Sequence, residues 1–166
     1  MLALLLLPLV AAKTIRPGAA CGKCLDVAGV NGDAGAARIS SAVTLNDCNG
    51  SSSQNWDVSS SGDTVIRLSG TTWCVDVGTS RRGPTPGWTP ENGAKAKLYP
   101  CEAPPGFPTG IPAGELFQYD GAKLRIKEKA LGDFCLDVEN GNTGSGAQIQ
   151  MWTCYAGNPN QQWGIL

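Results

Sequence analysis

The sequence predicts an all-β fold built from three repeated units closed around a pseudo-threefold axis. Three observations carry this prediction. Among 166 residues there are 22 Gly and 11 Pro but only 16% charged residues, a composition that favours short strands and turns over long helices. A short motif occurs three times, "CLDV" at Cys24, "CVDV" at Cys74 and "CLDV" at Cys135. Each copy leads to an alternating apolar-polar run ending in another cysteine: "AVTLNDC" at Cys48, "AKAKLYPC" at Cys101 and "AQIQMWTC" at Cys154.

Taken in order, the chain opens with "MLALLLLPLVAA", an apolar run too short to span a membrane. It reads as the hydrophobic part of a secretory signal over residues 1–12, cut at a Val10-x-Ala12 pattern, although the charged front region of such a leader is missing. A cut after Ala20, before Cys21, is disfavoured because "KTIRP" belongs to the first unit. No other run approaches membrane length, so no membrane insertion is expected. The folded domain is expected over 13–166, with units at about 13–62, 63–120 and 121–166. Each unit starts with a strand-like piece ("KTIRP", "TVIRLSG", "KLRIKEK") and ends on an aromatic motif. These are "SQNW" at Trp56, a degenerate "LFQY" at Tyr119 and "NQQW" at Trp163. One unit cannot bury its own apolar face, whereas three around an axis can close a small barrel and remove open strand edges. The second unit carries two Pro/Gly-rich insertions, "GTSRRGPTPGWTPENG" with Trp88 at its tip and "EAPPGFPTGIPAG", both expected as surface loops.

Composition also excludes functions. A net charge of −1 lacks the phosphate attraction that drives nucleic-acid binding. With no histidine in the chain, His-activated nucleophiles and most zinc sites are ruled out, so neither metal nor cofactor is expected. The pair Cys21/Cys24 in "CGKC" has no second cysteine pair beside it to complete a metal site. Secretion permits disulfides, and with seven cysteines one must be left over.

Strand periodicity assigns faces. In "AQIQMWTC", Ala147, Ile149 and Met151 share the inward face, and Gln148, Gln150 and Trp152 the outward polar one. The same register puts Lys95, Lys97 and Tyr99 outward in the second unit, and Thr44 and Asn46 in the first. A tryptophan on a polar face exposes a large ring, which asks for a ligand. Trp56 and Trp163, ending the repeated motifs, are structural.

Three ordered copies of C-x-D-V, a second cysteine and a terminal Q-x-W resemble the ricin B-type (R-type) lectin domain over essentially the whole chain after the leader. The resemblance implies a β-trefoil of twelve strands in hairpins, and up to three shallow sugar sites, one per repeat. It also implies disulfides Cys24–Cys48, Cys74–Cys101 and Cys135–Cys154, with Cys21 either free or competing for Cys48. Each bridge would contribute about 3 kcal/mol in the chain-entropy model. Sugar recognition needs an apolar platform for the C–H face of a pyranose, a carboxylate that accepts hydroxyl protons, and amides that donate and accept. The third repeat carries every part at positions matching the family's galactose-type pattern. Asp137 supplies the carboxylate, Trp152 the platform and Asn160 an amide, with Gln161 orienting Asp137 and Gln150 within reach of the ligand. The expected partners are glycans on glycoproteins or glycolipids, of galactose or N-acetylgalactosamine type.

In the second repeat Asp76 and Tyr99 hold the carboxylate and platform positions. Leu116 and Phe117 align there with Asn160 and Gln161, so at most a weak site is expected. In the first repeat only Asp26 survives, with Asn46 as platform and Ser53 opposite Asn160. Asn49 of "NGS" is a glycosylation sequon beside it. A glycosidase reading would need two carboxylates flanking a bond. Asp137 and Glu139 share a face, but the aspartate recurs in all three motifs and Glu139 does not, so no enzyme is expected. The competing non-enzymatic reading is a protease inhibitor or toxin-like defence protein acting through the second-repeat loops.

Overall fold

A computed structural model of the chain describes residues 11–78, 91–101, 113–120, 126–128 and 134–166. Residues 1–10 of the expected leader, Trp88 and most of both insertions lie outside the described residues. The first unit contributes β1 (Ile15–Pro17), β2 (Lys23–Val27), β3 (Val43–Asp47) and β4 (Trp56–Asp57). The second follows with β5 (Gly62–Thr64), β6 (Arg67–Leu68), β7 (Trp73–Asp76), β8 (Lys97–Pro100) and β9 (Phe117–Tyr119). The third adds β10 (Ile126–Glu128), β11 (Phe134–Val138), β12 (Ala147–Thr153) and β13 (Trp163–Ile165).

In each unit the C-x-D-V strand pairs antiparallel with the alternating strand, matching Leu25 with Leu45, Val75 with Leu98 and Leu136 with Met151. The alternating strands then pair with one another in a cycle: Leu45 with Ala147, Ala42 with Lys97, and Lys95 with Gln150. The cycle closes a barrel and makes Ala42, Lys95 and Gln148 equivalent under the pseudo-threefold, as are Thr44, Lys97 and Gln150. The last strand of each unit pairs with an early strand of the next: β4 with β6, β9 with β10, and β13 with β1, while β5 pairs with β9 of its own unit. This is a β-trefoil. The closing pair runs Thr14 N–H to Leu166 O and back, and it fully buries Ile15, so "KTIRP" is a working part of the first unit.

The barrel interior is filled in layers of three. Leu25, Val75 and Leu136 form one layer, Leu45, Leu98 and Met151 a second, and Val43, Ala96 and Ile149 a third, none more than 1% exposed. Burying each of the larger aliphatic side chains contributes roughly 1.5–3 kcal/mol, and the inward half of the predicted alternation is reproduced. The three implied disulfides are present, with Cα separations of 5.1, 4.9 and 5.1 Å, and Cys21 is exposed and free.

The aromatic motif of the second unit needs correction. Trp56 and Trp163 are fully buried, with their indole N–H groups donating to Leu25 O and Leu136 O at 3.0 and 2.9 Å. The ring in this place in the second unit is Phe117, also fully buried, not Tyr119. Each ring follows a single 3-10 turn, Ser52–Gln54, Ala113–Glu115 or Pro159–Gln161. That turn sets the register. Glu115 therefore stands where Gln54 and Gln161 stand, and Gly114 where Ser53 and Asn160 stand, displacing the alignment of Leu116 and Phe117.

Candidate functional site

In the third repeat, antiparallel register sets Asp137 opposite Gln150 and Cys135 opposite Trp152. Asp137 is only 4% exposed, yet each of its oxygens is met by one amide: Gln150 Nε2 donates to Oδ1 and Gln161 Nε2 to Oδ2, both at 3.1 Å. Gln161 is itself fixed. Its Nε2 also donates to Thr153 O, and its Oε1 accepts from the Tyr155 N–H, both at 2.9 Å. It thereby holds one side of the Asp137 carboxylate. A carboxylate oxygen can accept two hydrogen bonds, so each oxygen of Asp137 keeps one further position among the described residues. Burial pushes the Asp137 carboxyl above the ordinary carboxylate range, while the hydrogen bonds from Gln150 and Gln161 pull it back.

Gln150 departs from the expectation of an open polar face. It is 4% exposed, its NH2 serves Asp137, and its oxygen accepts from Lys95 Nζ at 3.3 Å. The reason is the cyclic strand pairing, which lays the chain around Lys95 directly against β12. Trp152, two residues along the same face, stays partly exposed. Asn160 sits in the 3-10 turn opened by Asn158, whose Oδ1 accepts the Asn160 N–H at 3.1 Å. The loop after β11 passes close to its amide: a Cβ on Gly141, at φ +66°, would lie 3.1 Å from Asn160 Oδ1. A side chain there would be strained by the positive φ and would press on the Asn160 amide.

The first repeat uses the same scaffold to a different end. Gln54 holds Asp26 Oδ2 at 3.0 Å and also bonds Asp47 O and the Asn49 N–H. Asp26 Oδ1, however, accepts from both Val27 N–H at 2.7 Å and Ser53 Oγ at 2.6 Å. That oxygen is saturated. Over it lies a polar cleft of about 340 Å³ lined by residues including Asp26, Asn31, Asn46, Asn49 and Ser145, with no aromatic side chain. Asn49 is exposed on this cleft, and its Oδ1 accepts the Ser51 N–H at 2.9 Å.

Equivalence between repeats exposes two residues that sequence reasoning missed. Tyr155 corresponds to Asn49, since each N–H goes to the glutamine of the following turn. Asn92 corresponds to Ser145: Asn92 Oδ1 accepts from Thr153, as Ser145 Oγ donates to Asp47. Tyr155, 57% exposed, and Asn92 therefore flank the third-repeat site. The position of Tyr155 directly after the motif cysteine was a usable signal. Asn92 belongs to the preceding repeat and had none.

The second-repeat arrangement is obstructed. Asp76 Oδ1 accepts the Gly78 N–H at 2.7 Å. A Cβ on Gly114 would lie 2.8 Å from Gly78 N and 3.4 Å from Asp76 Oδ1, so no amide side chain fits where Asn160 stands. Glu115 is buried, so a carboxyl stands where the first and third repeats have the glutamine amide that holds the aspartate. Lys97 Nζ lies 5.5 Å from the centroid of the partly exposed Tyr99 ring, a cation–π contact on the expected platform.

A profile of the ricin-type beta-trefoil lectin domain matches residues 11–163. The chain belongs to this family. Among solved structures similar to this ricin-type domain is the C-half of the earthworm R-type lectin in complex with GalNAc, at 20% identity and TM-score 0.62, covering 93% of this chain and 97% of that one. The Rhizoctonia solani agglutinin matches at 17% identity and TM-score 0.64, covering 99% of both chains. The Macrolepiota procera ricin B-like lectin in complex with lactose matches at 15% identity and TM-score 0.61, covering 96% of both. At these identities the likeness speaks to the fold. No curated protein matches this chain in sequence. Family membership and lectin neighbours support a carbohydrate-binding role.

Proposed function

We propose that this ricin-type domain is a secreted lectin that takes galactose- or N-acetylgalactosamine-type glycans of glycoproteins or glycolipids, mainly through its third repeat. The observation that carries this reading is the state of Asp137: each oxygen is held by one amide and keeps one acceptor position, beside a partly exposed Trp152. In this reading Asp137 accepts two sugar hydroxyls, Trp152 stacks on the pyranose, Asn160 bonds a third hydroxyl, and Gln150 and Gln161 hold the carboxylate. Tyr155 and Asn92 border the next sugar ring. Asp76 and Tyr99 bind weakly at most. No catalytic role is assigned, since Glu139 is engaged in an ion pair with Lys95 rather than poised across a bond from Asp137. Support for the sugar class comes from relatives whose structures hold GalNAc and lactose.

The reading includes removal of residues 1–12, a domain over 13–166 and, in a eukaryotic secretory pathway, a glycan on Asn49 over the first-repeat cleft. An intact mass equal to the bare secreted chain would remove that last element. The function is tested by retention of the 13–166 chain on immobilised galactose and elution with lactose. Retention that is lost in Trp152→Ala is the expected result. Flow-through of the unaltered chain, coupled with inhibition of a protease, would instead favour action through the second-repeat loops.

A further inference from the structure

We propose that Lys95, a residue of the second repeat, is a positioning residue for the third-repeat site, setting the orientation of the Gln150 amide that holds Asp137. The inference rests on the galactoside reading above for its consequence, but not for its geometry. Lys95 and Gln150 are bridged across the barrel seam, and Lys95 Nζ donates to Gln150 Oε1 at 3.3 Å. Gln150 Nε2 then donates to Asp137 Oδ1 at 3.1 Å. A primary amide has one accepting and one donating end. An ammonium can engage only the oxygen, and a carboxylate only the NH2, so a cation on one side and Asp137 on the other leave the amide a single favourable orientation. Turned over, it would set NH2 against the ammonium and oxygen against the carboxylate.

Lys95 is held in turn by Glu139, which follows the C-x-D-V strand and forms an ion pair with it. The pair holds the ammonium that donates to the Gln150 oxygen. The pseudo-threefold supplies the contrast. The places equivalent to Lys95 are Ala42, paired with Lys97 at the second-repeat site, and Gln148, paired with Thr44 at the first. Neither is a cation, and neither faces a glutamine. The chain from Glu139 through Lys95 and Gln150 to Asp137 therefore makes the third site a composite of two repeats.

The test uses the folded chain labelled with 15N, with lactose as the probe. In Lys95→Met the Gln150 side-chain amide signals should shift and exchange faster with water, and lactose affinity should fall by about five- to tenfold, the weakening expected when a hydrogen bond to a charged group is loosened rather than deleted. Lys95→Arg, which keeps a cationic donor, should restore both. If Lys95 acts through Gln150, adding Lys95→Met to Gln150→Ala should change affinity by less than about twofold, the non-additivity of coupled residues. Unchanged Gln150 amide signals in Lys95→Met would overturn the proposal, as would a full, additive loss in the Gln150→Ala background. The amide readout needs no ligand. Failure of the unaltered chain to bind lactose would count against the galactoside reading alone and leave this inference to be decided by the amide signals.

Discussion

Asp26 and Asp137 occupy equivalent places, and replacing each by alanine should have opposite consequences. In Asp137→Ala the ligand loses two hydrogen bonds to a charged acceptor, at about 1.5–3 kcal/mol each. A monosaccharide bound near millimolar strength has only about 4 kcal/mol in total, so binding should vanish. The fold loses less. Gln161 keeps Thr153 O as a partner, and chiefly the Gln150 amide is stranded, at about 1–2 kcal/mol. Asp26→Ala removes a partner from three donors: the Val27 N–H is stranded, whereas Ser53 Oγ keeps Ser51 Oγ and Gln54 Nε2 keeps Asp47 O. Losing three bonds to one buried carboxylate should cost about 2–3 kcal/mol, against a lactose affinity left unchanged. At roughly 2–4 °C per kcal/mol for a domain of this size, Tm should fall by about 4–12 °C for Asp26→Ala and by less for Asp137→Ala. Titration calorimetry with lactose and a thermal melt on both variants decide the matter. The reasoning fails if Asp137→Ala still binds, or if Asp26→Ala weakens lactose as much as it weakens the fold.

Two further outcomes are expected. Because the Asp137 carboxyl is held above its ordinary value of 3.8 by burial, lactose affinity should fall on acidification with a midpoint above that value. Its effect on stability has the opposite sign. The folded state keeps this proton more tightly than the unfolded one, so the contribution is present below 3.8 and is lost as pH rises through the raised value. A binding midpoint at or below 3.8 would show that another group controls recognition. On the proposed reading the obstructed second repeat should leave one working site, and avidity needs two sites engaged at once. The monomer should bind a glycoprotein-coated surface yet agglutinate cells poorly. Strong agglutination by a chain that is monomeric in solution contradicts this, and loss of it in Tyr99→Ala would place the second site.

The three repeats and the inward set from Val43 to Met151 were legible because each depends on local order: a strand alternates with period two, and a motif repeats within its own unit; the cysteine pairs came only from the resemblance to the family. The same locality made Asp137, Trp152 and Asn160 readable as one group, since all lie within a single repeat. It failed at the end of the second repeat, where the glutamine and tyrosine letters of "LFQY" suggested a register two residues late. The barrel asks only for a ring that fills the slot after a 3-10 turn, and Phe117 does so without an indole N–H. What tertiary structure alone decided is which groups each carboxylate already holds. Ser53 closes one oxygen of Asp26 from 27 positions away, and Gly114 is pressed against Gly78. Lys95 reaches Gln150 from 55 positions away. These contacts cross repeats or join the ends of one, so no periodicity records them. They exist because three hairpins, each unable to bury its own face, close on one another and bring side chains from neighbouring units to the same few ångströms of surface.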